Sequence, residues 1–254
     1  MTRPPRRLPN GAGGASYFVH PTPKVILVRS GCTLLDLVLG GGWAQGRVVN
    51  IVGDKAVGKT LIAIEAASNL KKQNPRARIW YCDAEDAFER DYARALGMPV
   101  DKVRFREKDG KPLETVEDIF EDLEKCIAWS LKHNRAGGIY IVDSLDALSD
   151  RKAKTRAIDD QGWHLEKPKL MSELFRRLIV PIADANICFM IISQVRDKIG
   201  ATFGRKTTRS GGTALNFYAS QILYLSHMGQ VEKTIRGQRR TIAVKIRAKC
   251  DKNK

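Results

Sequence analysis

Residues 47–60, Arg47-Val48-Val49-Asn50-Ile51-Val52-Gly53-Asp54-Lys55-Ala56-Val57-Gly58-Lys59-Thr60, decide how the rest of the chain is read. Arg47–Val52 has the apolar, β-branched character of a buried strand, and the stretch from Lys59 to about Lys72 reads as a helix. Between them, Gly53 to Thr60 fits G-x-x-x-x-G-K-[ST] and lies where that pattern has a physical meaning, after a strand and at a helix start. The glycines let backbone N–H groups curl around phosphate oxygens, and the helix N-terminus adds a favourable dipole. In such a loop Lys59 bridges β and γ phosphates, and the Thr60 hydroxyl ligates magnesium. ATP and Mg2+ are therefore the expected cofactors, held by Gly53, Asp54, Lys55, Ala56, Val57, Gly58, Lys59 and Thr60.

Upstream of this motif, Val25–Val28 is strand-like and Thr33 to Leu39 fits a short helix stopped by Gly40–Gly42. Downstream, strands are expected at Ala77–Cys82, Ile139–Val142 and Ile187–Ser193. Helices are expected near Phe88–Leu96, from Thr115 onward, and through Leu170, Leu174, Leu178 and Ile182. Thr115 and Asp118 have capping-box spacing, and Val116, Ile119, Phe120, Leu123 and Ile127 form one apolar stripe. This alternation predicts an α/β fold whose central sheet is mostly parallel and flanked by helices. Gln221–Ser226 and Arg240–Ala248 read instead as an antiparallel extension around a basic turn at Gly229–Gln238.

The strand Ile139–Val142 delivers Asp143 to the carboxyl edge of the sheet, where open α/β folds bind ligands. Four apolar residues and an Asp are common in buried strands; the pattern gains weight here by following a phosphate loop. Asp143 is thus a magnesium candidate, through water. Asp83 and Glu85 follow the preceding strand, and either carboxylate can polarise an attacking water.

The chain has 254 residues, 43% of them hydrophobic, and a formal net charge of +16, a surplus that attracts polyanions and puts nucleic acid first among partners. No apolar run approaches the length of a membrane span, and Arg3, Arg6 and Arg7 among prolines leave no room for a signal-peptide core. A cytoplasmic protein without a membrane partner is expected. Cys32, Cys82, Cys126, Cys188 and Cys250 are widely spaced and read as reduced, mostly structural thiols. Residues 1–24, basic and rich in Pro and Gly, read as a tail or subunit tether, and residues 25–254 as one core.

Five ordered motifs resemble the RecA family, and more closely its bacteriophage-encoded recombinases. They are the phosphate loop; Asp83-Ala84-Glu85 with Tyr92-Ala93-Arg94-Ala95-Leu96-Gly97; Val142-Asp143-Ser144 with Ala147-Leu148; Ser193-Gln194-Val195-Arg196 leading to Lys198-Ile199-Gly200 and Phe203-Gly204; and Gly211-Gly212-Thr213-Ala214-Leu215-Asn216-Phe217-Tyr218-Ala219-Ser220. The resemblance implies a RecA-like P-loop ATPase core in which Glu85 is the general base, Tyr92 stacks on adenine and Gln194 senses the γ-phosphate. It implies ATP sites shared between subunits of a homo-oligomeric helical filament, with lysines reaching across to a neighbour's nucleotide; Lys249, Lys252 and Lys254 are the candidates. The family's N-terminal helical module and C-terminal domain are not visible here, which suggests a minimal recombinase or a shortened chain.

The resemblance also implies two DNA-binding loops. The first, about 149–166, carries Arg151, Lys152, Lys154 and Arg156 and then Trp163, His164 and Leu165, with Lys169 just beyond. The second, about 195–213, carries Arg196, Lys198, Ile199, Gly200, Arg205, Lys206, Arg209, Gly211 and Gly212. Residues 194–254 hold 14 Lys and Arg against 3 Asp and Glu, an excess suited to phosphates whatever the family. Ile199, apolar inside such a loop, is a candidate wedge between bases. The expected function is an ATP-dependent recombinase that coats single-stranded DNA and pairs it with a homologous duplex. A ring helicase of the same fold and a non-catalytic regulatory ATPase are the alternatives.

Overall fold

A computed structural model of the chain describes residues 25–151, 166–197, 207–209 and 212–254. In chain order its strands and helices are β1 (Leu27–Val28), α1 (Thr33–Val38), β2 (Trp43–Ala44), β3 (Val48–Gly53), α2 (Lys59–Gln73), β4 (Arg78–Asp83), α3 (Arg90–Ala95) and β5 (Val103–Phe105). There follow β6 (Glu107–Lys108), β7 (Lys111–Pro112), α4 (Val116–Lys132), β8 (Gly138–Asp143), α5 (Glu166–Asp184), β9 (Ile187–Asp197), β10 (Thr207–Arg209), α6 (Gly212–Tyr218), β11 (Gln221–Ile235) and β12 (Gln238–Asn253).

The main sheet runs β12-β11-β3-β9-β8-β4-β5, with β10 added alongside β9. From β11 to β5 every neighbouring pair is parallel, and only β12 and β10 pair antiparallel. The predicted mostly parallel sheet with an antiparallel end is therefore what the chain forms. Alternate residues of β3 face opposite layers: Val48 and Val52 join the core under α4 and α5, whereas Val49 and Ile51 join the core under α2. Asn50, fully buried in the same strand, is satisfied by donating to the Ile191 carbonyl and the Ser193 hydroxyl, both at 2.9 Å.

Three differences from the sequence reading have physical causes. Asp83 accepts the amides of Ala87 (3.2 Å) and Phe88 (2.8 Å), so those residues belong to a turn and α3 begins at Arg90 rather than Phe88. In α5 the fully buried stripe is Met171, Phe175, Leu178 and Ile182; Leu170 and Leu174 pack at its rim. The expected turn at Gly229–Gln238 is mostly strand: β11 and β12 pair out to Ile235 and Gln238, leaving Arg236 and Gly237, both with positive φ, as a two-residue turn. Beyond Leu225 this ribbon has left the sheet and is exposed, so no buried face imprints an apolar alternation on its sequence.

The Thr115 hydroxyl caps α4 by accepting the Asp118 amide, and the Asp118 carboxylate also meets Arg151 at 2.6 Å and Lys108 at 3.1 Å. Partial burial raises the Asp118 carboxyl, but the bonds from Thr115, Arg151 and Lys108 outweigh it and hold the group at about 2. A carboxyl depressed below its unfolded value of about 3.9 adds stability that is present above that pH and lost as pH falls through the folded value. Thr115→Ala is expected to cost about 1 kcal/mol in urea denaturation at neutral pH. Asp118→Asn is expected to flatten the loss of stability between about pH 4 and pH 2; an unchanged acid limb refutes this assignment.

Candidate functional site

Parallel pairing in register brings the carboxyl ends of four strands to one edge. Gly53 of β3 stands opposite Gln194 of β9, and Asp83 of β4 opposite Asp143 of β8. Over this edge the chain turns from Gly53 into α2, and two glycines make the turn possible. A Cβ on Gly53 would lie 2.7 Å from the Leu225 carbonyl oxygen and 2.8 Å from Val57, and Gly58 has a left-handed φ of 84°. Asp54, Lys55 and Ala56 are exposed, and Val57 is buried as the loop's anchor in the core. No side chain caps α2, so the N–H groups of its first turn remain available to a ligand.

Lys59 and Thr60 open α2 beside the Asp143 carboxylate. The Thr60 hydroxyl donates to Asp143 at 2.7 Å, and the Tyr81 phenol donates to the same oxygen at 2.9 Å. Burial raises the Asp143 carboxyl, against those two bonds, while Glu85 and Asp83 add to the rise. Lys59, half-buried, donates to the Asp54 carbonyl; burial lowers its ammonium, opposed by Asp143, Glu85, Asp54 and Asp146. Lys59 is thus a partly desolvated cation facing four carboxylates. Hydroxyl and carboxylate oxygens beside a glycine cradle fit a hard divalent cation carried on a nucleotide phosphate.

Glu85 accepts from Gln194 at 3.0 Å and from the Ser144 hydroxyl. The Gln194 backbone amide in turn donates to Asp146 at 2.6 Å. Of the two carboxylates the sequence left open for work on water, Asp83 is committed to its own turn, whereas Glu85 faces the amide of β9. The structure therefore brings Gly53, Gly58, Lys59, Thr60, Glu85, Asp143 and Gln194 to one sheet edge. The sequence reading missed Tyr81, Ser144 and Asp146; Ser144 stood in a quoted motif, but nothing in the spacing marks a hydroxyl that reaches across from β8 to β4.

A family profile described as RecA N-terminal domain matches residues 18–254. The chain belongs to the RecA family. It is 35% identical to Protein RecA of Treponema denticola over 232 residues, 91% of this chain and 52% of that protein. It is 34% identical to Protein RecA of Thermus thermophilus over 235 residues, 92% of this chain and 64% of the relative. The corresponding values for Protein RecA of Oceanobacillus iheyensis are 34% over 233 residues, 91% and 62%. This RecA-family chain thus spans between half and two thirds of the length of these relatives.

The other expected residues are placed less uniformly. Tyr92 lies in α3 with 47% of its surface exposed. Lys252 donates to the carbonyls of Asn216 (2.8 Å) and Phe217 (2.9 Å) at the end of α6, Lys249 sits 3.4 Å from Asp251, and Lys254 is exposed. Lys169 is exposed on α5, and Arg151 is held against α4 by Asp118 and Glu121. Arg196, Arg209 and Gly212 are located by their backbones: Arg209 pairs with Val195 where β10 folds back on β9, so the expected loop opens as an antiparallel pair, and Gly212 starts α6. Trp163, His164, Leu165, Lys198, Ile199, Gly200, Arg205, Lys206 and Gly211 lie outside the described residues. Among the described residues no helix is long and apolar enough to cross a membrane.

Because the clash at Gly53 is with backbone, Gly53→Ala is expected to destabilise the ligand-free protein by about 2 kcal/mol, as overpacking does. Chemical denaturation without nucleotide reads this directly, and a stability equal to the parent's shows that the loop relaxes freely.

Proposed function

We propose that this chain is an ATP-dependent recombinase: it assembles as a filament on single-stranded DNA, pairs that strand with a homologous duplex and hydrolyses ATP when DNA is bound. The observation that carries the reading is Gln194. Its side chain contacts Glu85, its strand lies in register with the phosphate loop, and the same strand continues into the basic stretch 195–213. One amide thus stands between the nucleotide edge and a segment carrying five cations.

In this mechanism Gly53 to Gly58 and the first turn of α2 bind the phosphate tail, and Lys59 neutralises its outer oxygens. Thr60 and Asp143 would hold magnesium, which when bound supplies positive charge at the phosphates. Glu85 accepts the proton of the attacking water, held in position by Ser144. Gln194 exchanges its bond to Glu85 for one to the γ-phosphate and so orders the basic segment against DNA. Tyr92 packs on the adenine, while Lys252 or Lys254 completes a neighbouring subunit's site. Residues 149–166, with Trp163, His164, Leu165 and nearby Lys169, contact one DNA strand; Arg196, Lys198, Ile199, Gly200, Arg205, Lys206, Arg209, Gly211 and Gly212 contact the other side of the bound polynucleotide. Residues 1–24 serve as a subunit tether, residues 25–254 as the working core, and the bacterial cytoplasm, including that of a phage-infected cell, is the place of action.

Lys59→Ala is expected to abolish ATP-dependent DNA binding in a fluorescence-anisotropy titration. Glu85→Gln is expected to keep nucleotide-dependent DNA binding while hydrolysis falls roughly 10² to 10⁴-fold; normal turnover removes Glu85 from the role of base. Electron microscopy with single-stranded DNA and a slowly hydrolysed ATP analogue is expected to show helical filaments. Closed rings would select a translocating motor instead.

A further inference from the structure

At the amino-terminal edge of the sheet, away from the phosphate loop, lies a cavity of about 430 Å3 lined by Lys71, Arg76, Arg78, Lys102, Arg104 and Trp129. Arg78 begins β4 and Asp83 ends it, which separates the two edges by roughly 17 Å at the usual rise per strand residue. The five cations come from the end of α2, the turn after it, the start of β4, the approach to β5 and β5 itself. One carboxylate, Asp101, also lines the cavity, and Arg94 meets it at 3.2 Å. Among the described residues no carboxylate lies within ion-pair distance of the five.

Two of the cations are also fixed in place. Lys71 donates to the carbonyls of Pro75 (2.6 Å) and Ala77 (2.7 Å), and the Arg78 guanidinium lies 3.5 Å from the centre of the Trp129 indole. Burial lowers the Lys71 ammonium, and Lys102 and Arg78 push it further down; burial and then Arg104 lower Arg78. This mutual repulsion marks a concentration of positive charge that forms no ion pair among the described residues.

We propose that this cavity is a binding site for a compact run of phosphate groups, the di- or triphosphate of a small ligand, separate from the phosphate loop. Its volume is that of a small-molecule site. Arginine forks match phosphate oxygens in pairs, and three of the five cations are arginines. A nucleic-acid strand is favoured less: the cations surround a hollow instead of following a ridge, and the Trp129 ring is already occupied by Arg78 and by His133, stacked at 4.4 Å, so it offers no platform for a base.

The test is calorimetric titration of the full chain carrying Lys59→Ala, which weakens the phosphate-loop route, with inorganic tripolyphosphate at moderate salt. One saturable site is expected. Adding Lys102→Glu and Arg104→Glu, both at exposed positions, is expected to weaken it at least about tenfold, because like charges then face the ligand. Reversing Arg239 and Arg240 on the exposed β11–β12 ribbon changes net charge equally and is expected to leave it intact. Circular dichroism of each variant verifies folding, and Arg76→Ala gives a milder version of the same loss. ATP bound as tightly as tripolyphosphate, with the same variant dependence, identifies a nucleotide's tail as the source; markedly weaker ATP binding identifies free polyphosphate. Absence of saturable uptake, equal weakening by the ribbon pair, or binding of duplex DNA alone at this pocket overturns the proposal. None of these outcomes bears on hydrolysis at the phosphate loop, so this site stands or falls separately from the recombinase reading.

Discussion

Parallel hydrogen bonding in register between β3, β9, β8 and β4 is the constraint on which the nucleotide edge depends. All four strands run in the same direction, so Gly53 stands level with Gln194, Asp83 stands level with Asp143 two residues short of them, and all four lie toward one edge. The cross-strand bonds then follow: Thr60 and Tyr81 to Asp143, Ser144 and Gln194 to Glu85. A one-residue slip of any of these strands would turn its terminal polar side chain into the wrong layer. The buried strand interiors, apolar on both faces, are what hold the register.

Charge is distributed along the same axis. At the carboxyl edge, Asp143, Glu85, Asp54 and Asp146 surround Lys59, an acidic setting in a chain of net charge +16. Such an arrangement suits a magnesium nucleotide, whose metal answers the carboxylates and whose phosphates answer the lysine and the helix N-terminus. At the amino edge, Lys71, Arg76, Arg78, Lys102 and Arg104 gather around one cavity, and among the described residues none of them forms an ion pair with a carboxylate. Strand direction separates the two environments: residues that open strands cannot meet residues that close them.

The RecA-family match and the geometry support each other without being the same argument. The profile covers residues 18–254 and speaks of ancestry. The bonds from Gln194 to Glu85 and from Thr60 to Asp143 speak of chemistry, and they hold whatever the chain is called. Where the relatives extend further than this chain, family membership does not carry their whole activity with it.

By itself the sequence determined the phosphate loop, the alternation of strands and helices, and the capped start of α4, because each depends on residues within a few positions of one another: glycines at a turn, apolar periodicity, a threonine three residues before an aspartate. Only the tertiary structure decided what depends on residues far apart in the chain. Asp83 and Glu85 differ by two positions, yet one carboxylate closes its own turn and the other meets Gln194, 109 residues away. The true extent of β11 and β12 was likewise hidden, since a solvated ribbon needs no apolar alternation and is specified by its partner strand and two-residue turn. The basic cavity was scattered over Lys71, Arg76, Arg78, Lys102 and Arg104, positions that read separately as surface charges until β4 and β5 paired and enclosed them.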